Sequence, residues 1–302
     1  MERKLLWVIS SIVILILWLK IEPQGTQQTG SKTVTAEQPA PESVPDQPKR
    51  ENSREANVTE EEQEYFKSHP IDDSKPNFAS IEDVQKRKEA FFDYLMPFVQ
   101  EKNALLLEDR ARIETILNNS EPPSREDKTW IAALRKIHKL RKLGVYTHED
   151  IAALLKYVDI IPASLVLAQA ANESAWGTSR FAVEGNNYFG QWCFTRGCGL
   201  IPNARGEDQD HEVRKFTDAR ESVFAYIDNL NSNSAYKELR SIRAELRKNK
   251  ETITGLALVH GLEKYSQRGQ DYIDEIESLI DYNELWRFNV HTDENEALNN
   301  NE

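Results

Sequence analysis

The stretch ASLVLAQAANESAWG, residues 163–177, decides how this chain is read. From Ala163 to Ala171 only Ser164 and Gln169 are polar, so a helix here is apolar nearly all round and belongs at the centre of a packed domain. Pro162 suits the first turn of that helix and Gly177 its end. Glu173 then falls in the last turn of a buried helix. Low dielectric disfavours its ionised form and the negative end of the helix dipole disfavours it further, so both raise its pKa. A carboxyl that keeps its proton near neutral pH is a general acid, the group that glycoside cleavage needs at the leaving oxygen. A buried glutamate hydrogen-bonded to Asn172, Ser174 or a neighbouring helix fits the same pattern.

Working outward, the flanks read as helices with identifiable starts. Thr147-His-Glu-Asp150 opens one helix, and Ser124-Arg-Glu-Asp127 opens another that carries Trp130, Ile131, Leu134, Ile137, Leu140 and Leu143 on one face and closes at Gly144. Ser80-Ile-Glu-Asp83 predicts an earlier start, with Pro97 kinking or restarting the helix and a separate helix over 105–117. After the central helix, 186–216 changes to glycines, aromatics and short alternating segments, which predicts loop and a small β-lobe. Helices resume at 217–230, 235–248, 253–260 and 271–281, the last aligning Tyr272, Ile276, Leu279 and Ile280. The expected fold is mainly α (α+β): a lysozyme-like helical domain over 146–288 with a small β-lobe, preceded by a helical extension over 78–145. No fixed repeat is present.

With 302 residues the chain is long enough for one or two domains, and a formal charge of −12 argues against a nucleic-acid partner. The basic run Arg135 to Lys142 reads as a solvated helix face. Leu5 to Leu19 is apolar except for two serines, follows Arg3 and Lys4, and has Trp7 and Trp18 near its ends. At about 22 Å as a helix it falls short of the roughly 30 Å hydrocarbon core. No small-x-small cleavage site follows, and Lys20 can snorkel, so residues 1–21 are expected to be an uncleaved anchor in the inner membrane rather than a removed signal. Residues 22–77 contain seven of the twelve prolines and few core formers, which predicts a disordered tether; 289–302 reads as a loose tail. An exported chain meets an oxidising compartment, and Gly197 and Gly199 give the turn freedom to join Cys193 and Cys198 in a local disulfide.

Ala170-Ala-Asn-Glu-Ser-Ala-Trp-Gly177, Ser179, Phe181-Ala182 and Asn186-Asn-Tyr-Phe-Gly190 together resemble the signature of the glucosaminidase family of peptidoglycan hydrolases, which includes the flagellar-rod hydrolase. The likeness is closer to the Bax proteins of Gram-negative envelopes and runs from Phe78 to about Trp286, taking in Gln191-Trp-Cys-Phe and Lys264-Tyr-Ser-Gln-Arg-Gly269. The resemblance implies a lysozyme-like fold, peptidoglycan glycan strands as partner and the periplasm as location. It also implies Glu173 as the acid acting between N-acetylglucosamine and N-acetylmuramic acid. Tyr265 matches the family's tyrosine before the final helix and would hold the sugar or stabilise charge; a core tyrosine is the alternative. Asn186, Asn187, Tyr188, Phe189 and Trp176 are expected to bind substrate, although turn and plug roles suit them as well. Where the family carries a second glutamate this chain has Asn203, leaving Glu207, Asp208, Asp210 and Glu212 as candidates, with Glu212 on the expected strand best held. Without a carboxylate about 6–10 Å from Glu173, assistance by the substrate's acetamido group is the better mechanism.

Other chemistries find less support. The six histidines, at 69, 138, 148, 211, 260 and 291, lack zinc-binding spacing, so neither a metal nor another cofactor is expected. A cysteine nucleophile would need a free thiol beside His211 or His260, which a disulfide forbids. A peptidoglycan-binding protein without turnover keeps the fold and is separated only by substitution of Glu173. Oligomeric state has no sequence signal.

Overall fold

The computed structural model describes residues 59–289 apart from Asp73 and residues 204–210. The expected anchor 1–21, the tether as far as residue 58 and the tail from residue 290 lie outside the described residues. Among the described residues no helix is long and apolar enough to cross a membrane.

In chain order the main elements are α1 Glu60–Ser68, α2 Val84–Asn118, α3 Arg125–Ile137, α4 His148–Ala152, α5 Ala163–Ser174 and α6 Arg180–Gly185. A three-stranded sheet of β1 Trp192–Cys193, β2 Gly199–Leu200 and β3 Glu212–Arg214 follows. The chain then forms α7 Ala219–Ser232, α8 Lys237–Asn249, α9 Gly255–Leu258 and α10 Gln270–Tyr282. The fold is mainly α and lysozyme-like, as expected. The sheet is antiparallel with β3 in the middle, so Val213 faces Trp192 on one side and Leu200 on the other.

The centre is α5. All its residues except Asn172 and Glu173 are buried, because α2, α9, α10 and the final turn Leu285–Phe288 pack around it. A helix with so few polar side chains loses little by complete enclosure and gains roughly 0.8 kcal/mol per methylene removed from water. Its two exceptions stand at the end nearest the β-lobe turn, which marks where chemistry is available.

Two helix starts agree with the capping boxes: Ser124 with Asp127 and Thr147 with Asp150 exchange both bonds. Ser80 does not cap α2. It ends a short turn, and Asp83 is the cap, accepting from the Lys86 amide at 2.9 Å. The expected break at Pro97 is also absent, and α2 runs unbroken for 35 residues. Phe91, Leu95, Phe98, Lys102, Leu106 and Ile113 form one buried stripe on both sides of the proline. Burying several such side chains, at about 1.5–3 kcal/mol each, outweighs the roughly 3 kcal/mol cost of a helical proline.

The tether expected to reach Asn77 stops short. Thr59 and Glu62 form a reciprocal capping box on α1, and this helix docks on α2 and α7. Glu62 pairs with Lys102, the Tyr65 hydroxyl donates to Glu101 at 3.0 Å, and the Phe66 ring packs on Phe224 at 5.0 Å. Farther on, the Lys75 ammonium donates to the Val183 carbonyl at 2.8 Å and to Asn186 Oδ1 at 2.7 Å. The Thr-x-x-Glu pattern at 59–62 was the available signal, outweighed by the proline-rich composition around it.

Candidate active site

Glu173 sits one residue before the end of α5, and the chain turns sharply beyond it. Ala175, Trp176 and Gly177 are consecutive left-handed residues, with φ of 49°, 58° and 76°. For the two non-glycine residues this conformation costs on the order of 1–3 kcal/mol each, so the surroundings must hold it. Ser174 does part of this, its hydroxyl donating to the Ala170 carbonyl at 2.6 Å and accepting from the Gly177 amide at 2.8 Å. Trp176 does the rest by packing edge-on against Phe91 and Phe92 of α2, with the Lys88 ammonium 4.7 Å from its ring centre. Only glycine fits at 177, where a Cβ would stand 2.5 Å from the Phe78 ring. Trp176, half-buried, is thus packed as a wedge between the end of α5 and α2.

The carboxyl of Glu173 terminates a buried hydrogen-bond relay. The Tyr226 hydroxyl donates to Gln169 Oε1, Gln169 Nε2 donates to the Tyr272 hydroxyl at 2.8 Å, and Tyr272 donates to Glu173 Oε1 at 2.9 Å. Because the Tyr272 oxygen already receives the Gln169 proton, its own proton points at the carboxyl. Oε1 is thus an acceptor, and a transferable proton belongs on Oε2. That second oxygen faces Gly190, whose added Cβ would lie 3.9 Å away. Burial pushes the Glu173 pKa up to about 7. The Tyr272 hydrogen bond opposes the rise, the nearby Glu275 charge adds to it, and Asn172 and Arg268 pull it back.

The turn after α6 has a different use from the one expected. Asn186 ends α6 in a left-handed conformation, its amide nitrogen bonded to the Phe216 and Thr217 carbonyls and its oxygen to Lys75. Asn187 is buried, with its nitrogen on the Gln191 and Arg214 carbonyls and its oxygen on the Phe189 and Gln191 amides. Tyr188 and Phe189 are buried too. Tyr188 packs against Phe91 and Tyr94, and Phe189 stacks on Tyr226 at 3.9 Å. The side chains of Asn187, Tyr188 and Phe189 are thus enclosed, and both polar atoms of the half-buried Asn186 are engaged within the protein. These contacts, several of them to residues distant in sequence, hold a turn that ends at Gly190, a left-handed glycine beside Glu173.

Tyr265 is likewise buried. Its hydroxyl donates to the Phe189 carbonyl at 3.1 Å and its ring stacks on Tyr272 at 5.3 Å, so it backs the tyrosine that touches Glu173. Tyr272 and Gln169 are the residues that sequence reading missed in this role. Both looked like core positions, and the only hint was one polar residue, Gln169, placed one helical turn before the acid.

The β-lobe holds the disulfide Cys193–Cys198, so neither sulfur is available as a nucleophile. Glu212 is buried beneath that loop, and its two oxygens accept from the Gly197 and Gly199 amides at 2.9 and 2.8 Å. These two hydrogen bonds fix the loop's backbone. Glu207, Asp208 and Asp210 lie outside the described residues.

Comparison with known families assigns this helical domain, with a carboxyl at the end of its buried central helix, to the glucosaminidase class. Residues 149–285 match the Glucosaminidase family, described as mannosyl-glycoprotein endo-beta-N-acetylglucosaminidase. Over 211 residues the chain is 34% identical to Protein bax of Escherichia coli (strain K12), an alignment covering 70% of this chain and 74% of that protein. No solved structure matches it. The chain belongs to the Bax protein family and carries a glucosaminidase domain.

Proposed function

We propose that this protein hydrolyses the β-1,4 bond after N-acetylglucosamine in peptidoglycan glycan strands, with Glu173 as the general acid. The observation that carries the reading is the position of Glu173: proton-bearing near neutral pH, its Oε1 occupied by Tyr272 and its Oε2 beside Gly190. In this scheme Oε2 gives its proton to the glycosidic oxygen as the C1–O bond breaks. The acetamido carbonyl oxygen of the same sugar then closes on C1. The resulting Glu173 carboxylate takes a proton from the water that reopens the ring, which returns the acid to its starting state. Acetamido assistance is preferred because Glu212 is engaged by two main-chain amides. The apolar segment at 5–19 and the proline-rich stretch after it support an enzyme tethered to the inner membrane with its catalytic domain in the periplasm.

Mass spectrometry of fragments released from purified peptidoglycan tests the reading. New reducing N-acetylglucosamine ends are expected. Reducing N-acetylmuramic ends would make it a muramidase and anhydro-muramic ends a lytic transglycosylase. Free stem peptides, or retention on the wall without release, would overturn glycan cleavage altogether.

A further inference from the structure

Beyond α1 the chain runs through residues 69–77, described except for Asp73, with neither helix nor strand. This strap lies outside the 149–285 family match, yet it is tied to the domain at three points. At its start the His69 carbonyl accepts from the buried Arg220 of α7 at 2.6 Å. At its end it leads into Phe78, 2% exposed, whose ring packs on Phe91 and Tyr94 and closes over Gly177. Two prolines, in His69-Pro70 and Lys75-Pro76, restrict their own φ and hold the residue before each extended. A strap stiffened in this way loses little freedom on docking.

The third tie is Lys75. Its ammonium donates to the Ala182 carbonyl at 3.3 Å, to the Val183 carbonyl at 2.8 Å and to Asn186 Oδ1 at 2.7 Å. The last carbonyls of a helix have no partner within it and form its negative end, so a cation is favoured there. The Phe216 amide takes the next such group, the Gly185 carbonyl, at 2.8 Å. Asn186 is thereby held on both sides, its oxygen by Lys75 and its nitrogen by the Phe216 and Thr217 carbonyls. It is left-handed, φ 50°, and such a non-glycine residue persists where its surroundings hold it.

Both turns that flank Glu173 therefore rest on this one segment. Residues 175–177 lie against Phe78, and the turn from Asn186 to Gly190 starts at Lys75. Gly190 faces Glu173 Oε2, so a displaced second turn changes the space in front of the acidic proton. We propose that Lys75 is a positioning residue for Glu173, setting through Asn186 the turn that carries Gly190. Through it, a strap ahead of the family domain becomes part of that domain's active site. The inference rests on Glu173 serving as the general acid.

The full chain carrying Lys75→Met or Lys75→Arg tests it, with Arg112→Met as control; Arg112 pairs with Asp127 at 3.0 Å, between α2 and α3. Lys75 is half-buried and methionine keeps much of its hydrocarbon stem, so the variant is expected to fold. On solubilised glycan strands Lys75→Met is expected to lower kcat about tenfold, because a misplaced reacting geometry is costly, with KM within about twofold. Loosening the turn admits water to Glu173, so the alkaline limb of the profile moves to lower pH. Lys75→Arg, which keeps a cation at the same carbonyls, is expected to restore most of the loss, and Arg112→Met to leave kcat and the limb unchanged.

A second readout needs no turnover. Glu173→Gln is introduced into the wild type and into Lys75→Met, and the resulting change in melting temperature is compared at pH 4 and pH 8.5. The pH-dependent part is expected to shrink in the Lys75→Met chain. Wild-type kcat in Lys75→Met, an equal loss in Arg112→Met, or a kcat loss with the melting difference unaltered would each overturn the positioning role. Were the wild type to release no glycan fragments, the proposed function would fail by itself. The melting comparison would then decide the placement of Glu173 by Lys75: a smaller pH-dependent difference supports it and an equal one overturns it.

Discussion

Consider Glu173→Gln, which removes the acidic proton while keeping the shape of the side chain and an oxygen to accept from Tyr272. In the wild type, the carboxyl ionises at about 7 against an ordinary 4.5. At about 1.4 kcal/mol per pH decade that gap is worth up to roughly 3 kcal/mol. Its sign follows from proton counting. Below pH 4.5 the group is protonated in the folded and unfolded chains alike and contributes no pH dependence. Between 4.5 and about 7 the unfolded chain has lost a proton that the folded chain retains, so stability falls as pH rises, and above 7 the loss is complete. Glutamine has no such penalty. The variant is therefore expected to melt near the wild type at pH 4 and about 6–12 °C above it at pH 8.5, taking 2–4 °C per kcal/mol as the scale for a domain of this size. The same substitution should lower peptidoglycan cleavage at least about a hundredfold. Thermal melts at the two pH values and a cleavage assay on one protein preparation measure both effects. A melting difference that does not change with pH would refute the buried, proton-bearing carboxyl, and wild-type cleavage would refute its role as acid.

Three further outcomes follow from the same geometry. Tyr272→Phe deletes the hydrogen bond that restrains the Glu173 pKa, so the alkaline limb of the kcat/KM profile should move to higher pH; an unmoved or lowered limb contradicts the relay. Gly190→Ala forces a side chain into a left-handed turn, φ 63°, while the new methyl meets only Glu173 Oε2 at 3.9 Å. A stability loss of about 1 kcal/mol, seen in chemical denaturation, is expected from backbone strain alone. Replacing both Cys193 and Cys198 by serine opens a short loop, which in a chain-entropy treatment costs roughly 2 kcal/mol; unchanged denaturation would place the loop's order wholly with Glu212 and its two amide partners.

What could be read from the chain by itself was local. The near-absence of polar residues over 163–171 required a buried helix, and Glu173 followed as a carboxyl stranded at its end, because burial and helix phase are properties of a short window. The capping boxes at Ser124 and Thr147 and the pairing of two cysteines five residues apart are equally local. What the tertiary structure alone decided involves partners far apart in sequence. Tyr272 reaches Glu173 across 99 positions, and no pattern within α10 separates that hydroxyl from any other core tyrosine. Asn187, Tyr188 and Phe189 have residue types that suit a sugar, but bonds to the Gln191 and Arg214 carbonyls hold Asn187 inward, and packing of α2 and α7 turns in Tyr188 and Phe189. Pro97 and α1 show the same limit in the opposite direction. A local rule predicted a break and a tether, and contacts made elsewhere in the chain, the stripe on α2, the Lys102 pairing with Glu62 and the hydrogen bond that Arg220 of α7 donates to the His69 carbonyl at the end of α1, supplied more free energy than the local preference removed.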